Sequence, residues 1–302
     1  MSRNMATAVG FVAVLLWALL AYFTAASGQV PPFQLTAMSF GIGGLSGILT
    51  WIVRPQGPRA LRQPLKVWAL GVGGLFGYHL LYFTALRNAP TVDASLIAFL
   101  WPLLIVLFSA LAPGERLRLH HVAGAVMGFA GAALIVTRGQ GLTLNPDYAF
   151  GYSLALLAAL FWSSYSVLSR RFAEVPTDVV TGFCLVTALL ATGAHLMLED
   201  TVWPATTGEW LAVIGLGVGP VGLAFFVWDI GVKRGDIQVL GAASYSAPLL
   251  STLLLIALGE SPATWAVAGA CLLITLGATV AAKDMLFRRR ARAAVQRVKP
   301  GP

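Results

Sequence analysis

Long apolar stretches alternate with short polar connections along the whole chain. A helix that crosses a bilayer core about 30 Å thick needs about 20 apolar residues. Ten windows without Asp, Glu, Lys or Arg are 19 to 23 residues long, and charged or turn-forming residues separate them. The pattern predicts an all-α integral membrane protein with ten transmembrane helices. The predicted spans are residues 5–26, 33–53, 67–86, 94–114, 119–137, 148–169, 179–198, 210–228, 237–259 and 261–282.

The composition supports this prediction. The chain is 58% hydrophobic and only 11% charged, whereas a soluble protein has about 25% charged residues. The first window follows Arg3 and is too long for the apolar region of a signal peptide, so we expect it to be the first span. The net charge of +8 could suggest nucleic acid, but the basic residues lie in connections and at the C terminus, where the membrane explains them.

Basic residues also predict the orientation. With the N terminus in the cytoplasm, eighteen Lys and Arg residues lie on the cytoplasmic side, and only Arg87 and Arg138 lie on the other. The positive-inside rule therefore predicts a protein of the bacterial inner membrane with both termini in the cytoplasm. The last segment, 286–302, is expected to be a basic cytoplasmic tail on anionic lipid.

An internal repeat divides the chain into two halves. Trp17 and Pro31 recur as Trp162 and Pro176, at an offset of 145 residues. Three more matches keep this offset within one residue: 100–104 with 246–250, 114–115 with 259–260, and 123–125 with 268–270. The matches predict one five-helix domain at 5–140 and another at 146–285.

Five spans per repeat is an odd number, so the second repeat must enter the membrane from the opposite side. Inverted repeats are typical of secondary transporters, which bind their substrate near the midplane between the halves. A membrane enzyme would need a catalytic group such as His-Glu-x-x-His, and the sequence contains none. A receptor remains an alternative. We therefore expect a transporter rather than an enzyme, with no cofactor and no metal.

Several motifs resemble those of the drug/metabolite transporter superfamily with paired EamA-type domains. Each half opens with Trp-x13-Pro, has a proline in its fourth span and closes that span with Gly-Glu. Further motifs are Leu100-Trp101-Pro102, Trp228-Asp229-Ile230-Gly231 followed by Gly235-Asp236, and Ser244-Tyr245-Ser246-Ala247-Pro248. These are similar to motifs of the aromatic amino acid exporters in that superfamily. The resemblance implies ten helices and export of aromatic and other neutral amino acids, with a multidrug or other metabolite exporter as the alternative.

Prolines and glycines predict where the substrate binds. A proline inside a helix frees the carbonyl four residues earlier, so Pro102 frees Ala98 and Pro248 frees Ser244. Such a carbonyl needs a protein donor or a wet cavity, where a substrate ammonium group could bind it. A simple kink is the alternative. Glycine-rich stretches at 71–77 and at 215–222, which includes Pro220, are either thin cavity walls or sites of close helix packing.

Aromatic side chains inside the spans complete the candidate site. A Trp or Tyr at membrane depth needs a partner for its polar group, which a polar cavity supplies. His79 is either a proton relay or a neutral hydrogen-bonded contact. We predict a cavity for a mostly apolar ligand with a small polar head. The predicted substrate-binding residues are Trp17, Tyr78, His79, Tyr82, Ala98, Trp101, Trp162, Ser244 and Tyr245.

Charges are absent from the middle of every predicted span. Asp229 lies at the end of the eighth span and is expected to pair with Lys233 at i+4. A carrier of phosphorylated substrates would need buried cations, and a proton antiporter a buried carboxylate. The pattern therefore favours neutral substrates and passive or weakly coupled transport. Small residues on the fifth and tenth spans allow a monomer or a homodimer.

Overall fold

A computed structural model describes residues 1–53, 57–112, 114–140, 144–259 and 262–284, and it confirms the all-helical prediction for them. Nine helices within these ranges are long and apolar enough to cross a membrane, and the tenth, α10, is an apolar helix of 17 residues. The predicted basic tail 286–302 and Glu260 lie outside the described residues. The helices are α1 (Arg3–Ala26), α2 (Pro32–Thr50), α3 (Leu65–Asn88), α4 (Thr91–Leu111), α5 (Leu119–Val136), α6 (Pro146–Phe172), α7 (Val179–Leu198), α8 (Thr207–Arg234), α9 (Ile237–Ala257) and α10 (Trp265–Ala281).

Helix α8 extends further than the sequence predicts. The predicted span ends at Trp228, but the helix continues for six more residues to Arg234. The reason is the expected pair between Asp229 and Lys233, whose charged groups lie 2.9 Å apart. Because the two charges neutralise each other, they can lie in the buried part of the helix, which a search for charge-free windows must miss.

Several helices are interrupted at their prolines and glycines. α4 consists of the segments Thr91–Ala98 and Trp101–Phe108, and α9 consists of Ile237–Ala243 and Ser246–Ala257. Both breaks come two to four residues before a proline, whose missing N–H and ring disrupt the preceding turn. The glycine-rich stretches of α3 and α8 form wider π-helical turns, and Pro220 lies in the second of them.

The two halves pack against each other through matched helix pairs. α1 packs on α8, α3 on α6, α2 on α7, α4 on α9, and α5 on α10. Glycines allow the closest of these approaches. A Cβ atom on Gly10 would lie 2.7 Å from Cα of Gly231, and one on Gly124 would lie 2.4 Å from the carbonyl oxygen of Gly277. The α1–α8 and α5–α10 pairs therefore depend on residues without a side chain.

Gly10→Val should destabilise the protein, because the new side chain would overlap the backbone of α8. Overpacking of a tight contact costs about 1–3 kcal/mol. Thermal unfolding of the purified protein in detergent measures the effect as a lower melting temperature. Gly193→Val is the matched control, since no atom lies within 4 Å of the new Cβ on α7. Equal melting temperatures for the two variants would contradict the close contact of α1 and α8.

Candidate functional site

Four tryptophans from four helices meet inside the bundle. They are Trp17 of α1, Trp101 of α4, Trp162 of α6 and Trp228 of α8. Each ring contacts the other three, with centroids 5.0 to 6.2 Å apart. Two rings come from each half of the chain, so this tryptophan cluster lies between the repeats. Three of its members were predicted as site residues.

Two of the four indole groups are held by hydrogen bonds, and two are not. Trp17 donates its N–H to the carbonyl of Pro220 at 3.0 Å, and this carbonyl belongs to the π-helical turn of α8. Trp228 donates to the hydroxyl of Ser166 at 3.1 Å. The indole N–H groups of Trp101 and Trp162 form no hydrogen bond with any described residue. Both remain available as donors to a ligand.

Three polar rings of α3 extend the cluster. Tyr78 and Tyr82 stack with their centroids 5.8 Å apart, and Tyr78 lies 5.9 Å from Trp162. Nδ1 of His79 lies 2.7 Å from the carbonyl of Leu75, so Nδ1 donates and Nε2 is left as an acceptor in the neutral ring. All three side chains of this group are partly exposed. Their rings therefore continue the aromatic cluster along α3.

Two phenylalanines without polar atoms also contact these rings. Phe40 stacks on Phe225 at 5.4 Å and meets His79 edge-on at 5.1 Å. Phe225 also contacts Trp17 and Trp162. The cluster therefore combines large apolar ring faces with a few polar groups.

Sequence reasoning did not select Trp228, Phe225 or Phe40. Trp228 was treated as the end of a span, because Asp229 closed the charge-free window. Its spacing of three from Phe225 places the two on one helix face, which was a usable signal. Phe40 has no neighbouring signal in the sequence, since phenylalanine is common at positions that face lipid or the protein interior.

The structure does not bring Tyr245 to this cluster. Its side chain is fully buried, and its hydroxyl accepts the amide N–H of Leu103 at 3.1 Å. That amide lies just after the break of α4, where the helical partner is missing. A Cβ on Gly128 would lie 2.5 Å from the Tyr245 ring, so the ring packs tightly on α5. The geometry gives Tyr245 a packing and capping position.

The carbonyl groups that the two prolines release are used differently. The Ser244 carbonyl accepts the amide of Ala247 at 3.1 Å, and the Ser244 hydroxyl donates to the carbonyl of Leu240. The equivalent bond in α4, from the Trp101 amide to the Ala98 carbonyl, is not formed. Ala98 is itself buried. Among the described residues, the Ala98 carbonyl therefore lacks the backbone partner that its counterpart Ser244 has.

A network of ion pairs joins the helices at the end of the bundle where α1 begins, the N-terminal face. The carboxylate of Glu115, which is 4% exposed, lies 2.5 Å from Arg170 and 2.8 Å from Arg3. Arg3 also pairs with Asp236 at 3.1 Å. Arg170 donates to the carbonyl of Val232 at 2.7 Å. The network connects α1, the α4–α5 loop, α6 and the α8–α9 loop, and so closes this face.

At the opposite face, one carboxylate connects three helices. Glu199 follows α7 and is 2% exposed. It accepts the amides of Phe33 and Gln34 at 3.0 to 3.1 Å, which satisfies free N–H groups at the start of α2. It also pairs with Arg87 of α3 at 2.8 Å and with His195 at 3.1 Å. His195 is therefore part of a structural contact.

One group of potential metal ligands lies among the described residues. His120 and His121 of α5 face Asp284 after α10. The guanidinium group of Arg118 contacts the Asp284 carboxylate, and Nδ1 of His121 accepts the Arg118 amide at 3.3 Å. Two of the three candidate ligands, His121 and Asp284, thus already bond Arg118, and we do not assign a metal site to these residues.

Both halves of the chain resemble a known transporter family. Residues 4–137 and 149–282 match the EamA-like transporter family. The chain belongs to the EamA-like transporter family. This confirms the membership that the sequence motifs predict, and it makes the protein a multi-pass membrane protein of a transporter family.

Two relatives and one solved structure extend the comparison. The chain is 56% identical over 290 residues to the aromatic amino acid exporter YddG of Ancylobacter novellus, covering 96% of this chain and 100% of the relative. It is 31% identical to the pseudopaline exporter CntI of Pseudomonas aeruginosa, over 64% of this chain and 66% of the relative. A crystal structure with 55% identity superposes with a TM-score of 0.88 and covers 93% of this chain and 98% of that chain.

Tyr245→Phe should lower the melting temperature in detergent. The change leaves the buried Leu103 amide without a partner, which costs about 1–3 kcal/mol. Tyr22→Phe removes the same hydroxyl from an exposed side chain and should leave the melting temperature unchanged. If Tyr245→Phe melted at the wild-type temperature, its hydroxyl would not stabilise the break of α4.

Proposed function

We propose that this protein exports neutral amino acids, aromatic and other apolar ones, across the bacterial inner membrane by alternating access. The carrying observation is the tryptophan cluster with its partly exposed Tyr78, His79 and Tyr82, placed between two halves that both match a transporter family. The relative with 56% identity is named an aromatic amino acid exporter, which supports the same cargo.

The polar groups of the cavity match the head group of an amino acid. The open carbonyl of Ala98 is an acceptor for the ammonium group. The unpaired indole N–H groups of Trp101 and Trp162 are donors for the carboxylate. The flat rings of Tyr78 and Tyr82 offer stacking surfaces for an aromatic side chain. These neutral donors and acceptors can hydrogen-bond both charged ends of the zwitterion at the central site.

The proposal includes ten spans in two inverted domains, 5–140 and 146–285. The helix pairs support it, because exchanging α1–α5 with α6–α10 converts the α1–α8 pair into the α6–α3 pair and maps the other three pairs onto themselves. The charge distribution supports cytoplasmic termini. The N-terminal face is then cytoplasmic, and its ion pairs between Glu115, Arg170, Arg3 and Asp236 hold this face closed in the proposed cycle.

Three carboxylates of the described residues are buried although they are charged. Glu115, Glu199 and Asp229 are each paired with a basic side chain in this conformation. Pairing neutralises them without a proton, which supports passive or weakly coupled transport. Reconstituted flux should therefore continue without a pH gradient. Flux that stops when the gradient is abolished would contradict this part of the proposal.

The alternative is export of another metabolite or of drugs by the same scaffold. A relative named as a pseudopaline exporter supports it, because that cargo differs from a simple amino acid. Uptake of labelled Phe, Met and Thr by proteoliposomes, with and without cationic drugs as competitors, separates the two. Competition by other amino acids but not by the drugs supports the first proposal.

Trp101→Ala and Tyr78→Ala should each reduce the flux of labelled Phe in proteoliposomes by about fivefold, since the loss of one stacking contact with the substrate costs about 1 kcal/mol. Trp203→Ala and Tyr22→Ala remove equally large but exposed rings outside the cluster and should retain flux. Unchanged flux in both cavity variants would overturn the site.

A further inference from the structure

A second polar site lies below the tryptophan cluster, toward the N-terminal face. A narrow cavity there is enclosed by α3, α6, α7 and α8, and it has room for about one water molecule in this conformation. Its walls are mostly apolar, and its polar members are Asp229, Lys233, Tyr165 and Ser169. The apolar members include Leu70, Phe172, Val179 and Phe183.

The ion pair of Asp229 and Lys233 in this cavity leaves hydrogen-bonding positions unused. Lys233 donates to Oδ2 of Asp229 at 2.9 Å and to the carbonyl of Val175 at 3.0 Å, which leaves its third N–H unused. The hydroxyl of Thr177 donates to the same Oδ2 at 2.7 Å. No hydrogen bond from a described residue reaches Oδ1 of Asp229. One cationic donor and one anionic acceptor are therefore free.

Tyr165 adds an unsatisfied hydroxyl. Its side chain is 1% exposed, and the hydroxyl has no hydrogen-bond partner among the described residues. The ring lies 5.3 Å from Trp162, so the cavity adjoins the tryptophan cluster directly. A buried polar group without a partner is costly, and a ligand or a water molecule is the usual explanation.

A contribution to stability does not explain the buried pair of Asp229 and Lys233 well. Both side chains are at least 92% buried, and removing two charges from water offsets most of their attraction. Apolar residues of similar size would hold α8 equally well. Ionisable residues within membrane spans usually mark the pathway of a substrate or an ion. The chemistry present is that of a zwitterion receptor: a cation, an anion and a hydroxyl surrounded by apolar walls.

We propose that this cavity is a cytoplasmic entry site for the amino acid, in which Lys233 and Tyr165 bind its carboxylate and Asp229 binds its ammonium group. The proposal rests on the proposed function. The apolar side chain of the substrate lies against Phe172 and Phe183. The cavity widens when the N-terminal face opens, and the substrate then moves past Trp162 to the central site.

The test uses inverted inner-membrane vesicles, whose outer surface is the cytoplasmic face, and uptake of labelled Phe. Unlabelled Phe competes for uptake alongside phenethylamine, which lacks the carboxylate, and 3-phenylpropionate, which lacks the ammonium group. Lys233→Gln should reduce the advantage of Phe over phenethylamine by about tenfold, since a charge-assisted hydrogen bond is lost. Asp229→Asn should instead reduce the advantage of Phe over 3-phenylpropionate.

Arg234→Gln is the matched control, because it removes the same charge from the next residue of α8, which is exposed and outside the cavity. It should keep both ratios. Tyr165→Phe removes one hydroxyl only and carries the test if Lys233→Gln abolishes uptake. It should lower the advantage of Phe over phenethylamine.

The outcomes distinguish the two proposals. Wild-type vesicles that take up no labelled Phe overturn the proposed function. Wild-type uptake with selectivity ratios that stay constant in Lys233→Gln, or in Tyr165→Phe where the first variant is inactive, overturns the entry site alone. A purely structural pair would change the competition of all three compounds by the same factor.

Discussion

Backbone polar groups inside a bilayer must find partners within the protein, and this constraint organises the whole structure. It explains why the described chain is helical and why its two proline breaks are placed together. A Cβ on Gly241 of α9 would lie 3.1 Å from the Pro102 carbonyl, so the breaks of α4 and α9 adjoin. Tyr245 satisfies the Leu103 amide across this contact. The broken helices of one repeat are thus completed by the other.

The two halves differ in how they satisfy the backbone groups at their helix breaks. The break of α9 satisfies its own carbonyl through the Ala247 amide, whereas the break of α4 leaves the Ala98 carbonyl open next to Trp101. The positions that match Tyr78, His79 and Tyr82 in the second half are apolar. A scaffold of paired repeats therefore presents an asymmetric site. Such a site can recognise a chiral amino acid head group, which a symmetric one could not hold in a single orientation.

The buried charged side chains also differ in how many of their hydrogen-bonding positions are used. Those at the ends of the bundle are satisfied by several partners at once, as Glu199 is by two amides, Arg87 and His195. Asp229 and Lys233 differ, because each still has a free position that faces a cavity. A charged side chain whose hydrogen-bonding positions are all used fits a structural contact between helices. A charged side chain with an unused position fits a contact that can also bind a ligand.

The helical class, most span positions, the repeat and the family can be predicted from the sequence, because apolar length and the placement of prolines and charges are local properties of the chain. Six of the predicted site residues have rings that meet around the tryptophan cluster, since aromatic rings at membrane depth are rare enough to be informative. Three features became visible in the folded structure: Tyr245 accepts a backbone amide, Trp228 belongs to the cluster, and α8 extends through Asp229 and Lys233. The first two depend on partners from distant parts of the chain, which no local pattern can reveal. The Asp229–Lys233 pair is local and predictable, but its burial within the bundle depends on how α8 packs against other helices.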